Sequence, residues 1–223
     1  MRRLATVGTD EASIARALEA VHAHEEVVAI VGRHPHETTG FAAGDLEPIE
    51  AAAGDPRARA IGETGLDHYR DNAPREDQRR AFEAHIDLAE RFDMPLVIHT
   101  RAAEQETFEI LEERARALTV VMHCFSVPDR LEDCAEHGWL CSFAGNVTYP
   151  SAGALQAAAR EVPDELLLVE TDAPYLAPQP VRGRPNEPAH VVTTAEAVAR
   201  LRGVSYSELE ATVERNAARV FGW

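Results

Sequence analysis

Seven times along this chain a short apolar run is followed by a longer stretch that reads as a helix. Leu4–Gly8 is the first such run, and Thr9 or Asp10 can cap the helix that follows it to residue 24. The later runs are residues 27–32, 58–62, 95–99, 119–123, 140–144 and 166–170, with helices expected over 46–53, over Arg75–Phe92 and after each of the rest. A proline-rich loop, 173–188, precedes two closing helices, 189–202 and 205–221. Strands separated by helices pair in parallel and need cover on both faces, which is an α/β fold.

The ends of these runs carry the second signal. His34, Glu63, His99, His123 and Asp172 all fall at or just past the C-terminal end of a predicted strand. Active sites of parallel barrels are built there, with side chains contributed by several strands. A doubly wound sheet would gather them at one crevice. A ring fits better, so the expected fold is a (β/α)8 TIM-like barrel. Only seven strand–helix units are present, one short of a closed ring. No linker or low-complexity segment interrupts residues 1–223, which are expected to be one barrel domain, incomplete at its N-terminus.

Composition excludes some chemistries. All 22 basic residues are Arg, and without Lys there is no Schiff-base lysine, no phosphate-loop lysine and no carbamylated lysine bridging metals. The net charge of −16 opposes a nucleic-acid partner, since phosphate contacts come from basic surface. Concentrated salt would relieve that conflict, because at ~1 M the Debye length falls to about 3 Å. Cys124, Cys134 and Cys141 form no CxxC pair and read as buried, reduced thiols. No apolar run approaches membrane-spanning length and no apolar stretch follows Arg2-Arg3, so a cytoplasmic, membrane-free protein is expected.

Glu63, His99, His123 and Asp172 form the main constellation. Hydrolysis at a metal needs nitrogen and oxygen ligands converging on one point, with a position left for water. Asp172 can bind the metal or take the proton of the attacking water. One histidine at a strand end is commonly an ordinary polar group; four such residues after four apolar strands are not.

Gly32-Arg33-His34-Pro35-His36, Gly62-Glu63-Thr64-Gly65-Leu66-Asp67, Pro95 to Arg101, His123-Cys124-Phe125-Ser126 and Ser142 to Val147 follow one another in a recognisable order. Glu170-Thr171-Asp172-Ala173-Pro174-Tyr175-Leu176, Arg182 to Pro188 and Arg215-Asn216 complete it. This ordered series resembles the TatD family across essentially the whole chain. The resemblance implies a (β/α)8 TIM-like metallohydrolase barrel, metal-dependent cleavage of DNA, commonly from a strand end, and metal ligation by Glu63, His99, His123 and Asp172. Magnesium, manganese or zinc would serve.

The resemblance also exposes a difference. The family opens with a strand bearing Asp-x-His-x-His, and that strand is not in this sequence. His22-Ala23-His24 has similar letters, but on a helix residues two apart diverge by roughly 200°. In the family's two-metal arrangement, one site, Glu63 with His99 and His123, is retained, whereas the other keeps only Glu63 and Asp172. One tightly held metal, or weak activity, is therefore expected. The uncovered strand edges imply a homo-oligomer, closure of the ends, or a natural chain that begins upstream. The third is the expectation adopted.

Smaller expectations complete the reading. His34 and His36 flank Pro35 and can contact substrate; Arg101 and Arg182 can clamp phosphate or pair with surface carboxylates. Asn146 and Tyr175 line the mouth or fix loops, Arg215-Asn216 ties down the last helix, and Trp139 and Phe143 are core. A deoxyribonuclease acting on single strands or strand ends is the first functional reading. An amidohydrolase acting on a small amide or lactone is the second, and an inactive truncated barrel kept as a binding scaffold the third.

Overall fold

The computed structural model describes residues 2–223, which divide into two compact units, residues 2–121 and residues 122–223. The first contains strand β1 (Leu4–Gly8), helix α1 (Glu11–Ala23), β2 (Val27–Val31), α2 (Glu47–Ala53), β3 (Ala58–Asp67), α3 (Arg75–Phe92), β4 (Leu96–Arg101) and α4 (Glu104–Arg114). Strand β5 (Val120–Met122) falls where the units meet in sequence. The second contains α5 (Leu131–His137), β6 (Leu140–Phe143), α6 (Gly153–Glu161), β7 (Leu167–Val169), α7 (Val191–Arg202) and α8 (Tyr206–Phe221). Every expected strand is present.

In the first unit β1, β2, β3 and β4 pair in chain order, all parallel. All five residues of β2, Val-Val-Ala-Ile-Val, are buried, as a strand covered on both faces requires. Asp10 rather than Thr9 caps α1, accepting the Ser13 N–H at 2.8 Å while Ser13 Oγ accepts the Asp10 N–H at 2.9 Å. His22 lies on the exposed side of α1, with Nε2 2.8 Å from Asp55, and His24 caps the helix C-terminus. The resemblance of these two to a metal motif is one of letters only.

Strand β3 departs from expectation. It runs ten residues, through the whole Gly62–Asp67 motif, where a five-residue strand ending at Gly62 was expected. Its register against β4 steps from Ile61↔Leu96 to Thr64↔Ile98, so β3 carries one extra residue at Gly62-Glu63. Such a bulge re-aims side chains within an otherwise continuous ladder. Glycine allows the close pairing that follows: a Cβ on Gly65, at φ +135°, would lie 2.1 Å from the His99 carbonyl oxygen.

In the second unit β6 and β7 pair in parallel, Cys141↔Leu167 to Phe143↔Val169. Trp139 and Phe143 are core, and Asn216 of α8 donates to the carbonyls of Asp164 and Leu167 at 2.7 and 2.8 Å, tying the last helix to β7 as expected. Cys134 and Cys141 are buried thiols, whereas Cys124 is half-buried. No helix among the described residues is long and apolar enough to cross a membrane.

Candidate active site

The bulge brings Glu63 against β4. Its Oε1 lies 2.8 Å from His99 Nδ1 and 3.7 Å from His34 Nε2, and one ligand atom from each of His34, Glu63 and His99 falls within 4.8 Å of the others. The loop that carries His34 is drawn in by close packing behind it. A Cβ on Gly32 would lie 2.6 Å from the Gly62 carbonyl carbon, so only glycine lets β2 approach β3 there. The rings of His34 and His36 meet edge to face at 4.3 Å, and those of His34 and His99 at 4.6 Å.

Asp67 organises this cluster, although its part in the site was not legible in the sequence. Its side chain is fully buried. Oδ1 accepts the N–H groups of Tyr69 and Arg70 at 3.0 and 2.9 Å, and Oδ2 lies 2.9 Å from His36 Nε2 and 3.1 Å from His99 Nε2. Burial pushes the Asp67 carboxyl up, but the Arg70 N–H and the bonds from His36 and His99 outweigh it and hold it at about 2. An ionised carboxylate only accepts, so both histidines donate Nε2–H to it. His99 is then left with a bare lone pair on Nδ1, facing Glu63 Oε1. A proton or a cation shared by the two atoms satisfies both.

His34 is held differently. Its Nδ1 accepts the His36 backbone N–H at 3.1 Å. A neutral imidazole that accepts at Nδ1 carries its proton on Nε2. Burial, opposed by the nearby Glu63 charge, lowers its pKa to about 4, which keeps it neutral. His34, Glu63 and His99 are thus grouped closely enough to hold a metal ion, and with Nδ1 accepting, His34 turns its Nε2 to Glu63 Oε1 at 3.7 Å.

Helix α3 supports the cluster from behind. Gln78, fully buried, accepts the Asp67 N–H at 2.8 Å and donates to the Ala73 carbonyl at 2.9 Å. His85, also fully buried, has Nδ1 2.7 Å from the Ala81 carbonyl, so Nε2 accepts the Arg33 N–H at 3.0 Å, one residue before His34.

The second unit repeats the device. Glu170 Oε1 lies 2.8 Å from His123 Nδ1 and accepts the Cys124 N–H at 3.2 Å. His123 therefore presents Nε2, which faces Asp172 Oδ1 at 3.6 Å. Asp172 sits at φ +56°, a conformation aspartate tolerates, and Asn186 pins its loop by donating to the carbonyls of Thr171 and Tyr175, each at 2.7 Å. Glu170, like Asp67, lay inside a motif already noticed, three residues before Ala173, without a role being assigned.

Among the other expected site residues, Arg101 is exposed and its guanidinium carbon stands 4.1 Å from the Tyr69 ring centroid. Arg182 stands 4.2 Å from that of Tyr149. Tyr175 is 70% exposed, whereas Asn146 is half-buried. In each unit, then, a histidine is fixed by one carboxylate and turns its other ring nitrogen to a second. This donor set of imidazole nitrogen and carboxylate oxygen, with no sulfur ligand, fits a divalent cation.

Comparison with known proteins agrees with this chemistry. The family described as TatD related DNase matches residues 1–222. The uncharacterized metal-dependent hydrolase YabD of Bacillus subtilis is 34% identical over 223 residues, covering 99% of this chain and 88% of YabD. The 3′-5′ ssDNA/RNA exonuclease TatD of Escherichia coli is 35% identical over 198 residues, 86% of this chain and 76% of that protein. The crystal structure of YjjV, a TatD homolog from Escherichia coli, superposes with a TM-score of 0.92 at 25% identity, covering all of this chain and 87% of YjjV. The fold is thus α/β of the TIM-like metallohydrolase type, and the chain belongs to the TatD family of metal-dependent hydrolases.

Proposed function

We propose that this protein hydrolyses phosphodiester bonds of single-stranded nucleic acid, working from a strand end. The observation that carries the reading is the matched pair of oriented histidines, His99 offering Nδ1 beside Glu63 and His123 offering Nε2 beside Asp172. The activity in the name of the Escherichia coli relative, a 3′-5′ ssDNA/RNA exonuclease, suggests the substrate class.

In this reading Glu63 and His99 in the first unit, and His123 and Asp172 in the second, are ligands for divalent metal, which is magnesium, manganese or zinc. A bound divalent ion would supply Lewis acidity toward a phosphoryl oxygen and make water more acidic. The chain's own groups do the rest. Asp172 accepts the proton of the attacking water. His34 donates Nε2–H to a phosphate oxygen, which a neutral histidine can do without competing for the metal. Asp67 and Glu170 keep each histidine in the tautomer that presents a lone pair.

Purified protein should shorten 3′-labelled single-stranded DNA when Mg²⁺, Mn²⁺ or Zn²⁺ is supplied. Activity should disappear with excess chelator and in Glu63→Ala. No turnover in any metal would sink the proposal. The net charge of −16 favours the second reading, a small amide or lactone substrate that needs no basic groove. Turnover of such compounds alone, with DNA untouched, would establish it.

A further inference from the structure

Tyr69 is 63% exposed, an unusual setting for a large aromatic ring beside a buried polar cluster. Its position is nevertheless tightly set. The His68 N–H donates to the Arg101 carbonyl at 2.9 Å, and the Tyr69 and Arg70 N–H groups both donate to Asp67 Oδ1, the carboxylate whose other oxygen holds His99. The ring lies under two guanidiniums, with the Arg101 carbon 4.1 Å and the Arg70 carbon 5.7 Å from its centroid.

The charge balance makes these arginines notable. Acidic residues outnumber basic ones 38 to 22, yet among the described residues neither Arg70 nor Arg101 has a carboxylate within ion-pair distance. Two unneutralised guanidiniums at one spot on so acidic a chain leave room for an anionic partner. Register locates the spot. Gly65 pairs with His99 and Asp67 with Arg101, so on β4 Arg101 stands two residues beyond His99 on the same face, about 7 Å along the strand.

We propose that Tyr69, Arg70 and Arg101 form a stacking and phosphate-contact platform for a nucleotide flanking the scissile bond. Bases stack on tyrosine rings and on arginine planes regardless of sequence, which suits an enzyme that works through a strand. The platform rests on the nucleic-acid reading above and deepens it.

The test is a cycle between a substitution and a missing base. Binding of a labelled single-stranded oligonucleotide is measured in chelator, so that nothing is cleaved, and cleavage is followed separately with metal. Tyr69→Ala should weaken binding about 5- to 100-fold, and Tyr69→Trp should restore most of it. An abasic residue, moved along the 3′ end, should cost the wild type a similar factor at one position and cost Tyr69→Ala nothing further there. Arg101→Gln should lower the slope of log affinity against log salt by about one. Because the Tyr69 side chain is exposed, unchanged circular dichroism should accompany these losses. A Tyr69→Ala protein that binds like a DNA-cleaving wild type would overturn the platform while leaving the nuclease intact. A wild type that neither binds nor cuts nucleic acid would overturn both.

Discussion

Acid should weaken this fold by about 3 kcal/mol through one side chain, His85. Its imidazole is fully buried in α3, donates Nδ1–H to the Ala81 carbonyl and accepts the Arg33 N–H at Nε2. Burial lowers its pKa from 6.5 to about 4, against the raising effect of the Ala81 carbonyl. The unfolded chain binds a proton near pH 6.5 and the folded chain only near 4. The stabilising contribution is therefore complete above pH 6.5, falls as the pH drops from there to 4, and falls no further below. At ~1.36 kcal/mol per pH unit, that interval makes about 3 kcal/mol. Other groups titrate in the same range, so the effect is read as a difference from His85→Gln, which keeps an acceptor near Arg33 but does not titrate. Urea unfolding of both proteins between pH 7.5 and 4 is the assay. The wild type starts the more stable, and its advantage should shrink by about 3 kcal/mol. Parallel pH profiles would refute the reasoning and mean that protonation leaves the His85 environment unchanged.

Three other outcomes follow from the geometry. Asp67→Asn places an amide donor against two ring N–H groups and should lower metal affinity about 10- to 100-fold, measured by titration calorimetry; wild-type affinity would show that Asp67 does not orient His99. Gly65→Ala puts a methyl group 2.1 Å from the His99 carbonyl oxygen at a positive φ and should cost at least ~3 kcal/mol in urea unfolding. Asn216→Ala leaves the Asp164 and Leu167 carbonyls without their donor and should cost ~1–3 kcal/mol; an unchanged unfolding midpoint would remove α8's claim to be tied down by this residue.

The architecture was legible because it depends on period and order. All seven strands lie within a residue or two of their expected places except β3, which continues through its motif because glycines at 62 and 65 admit close pairing with β4. Glu63, His99, His123 and Asp172 stood out because polar residues that end apolar runs are conspicuous. Asp67 and Glu170 did not, although both lay inside motifs already noticed. Their part is to choose which nitrogen of a distant histidine carries the proton, and no local pattern encodes that. Gln78 and His85 looked like ordinary polar positions on an amphipathic helix; only packing shows that they face inward, to the Asp67 and Arg33 amides.

Residue order alone determined an alternating α/β chain with nitrogen and oxygen ligands at its strand tips, since hydrophobic period is a local property of the backbone. Which imidazole offers a lone pair to a cation, and which offers a proton to a phosphate, was decided only by tertiary structure. Such choices depend on hydrogen bonds between residues as far apart as His99 and Asp67, 32 positions in the chain, that folding brings to 3.1 Å.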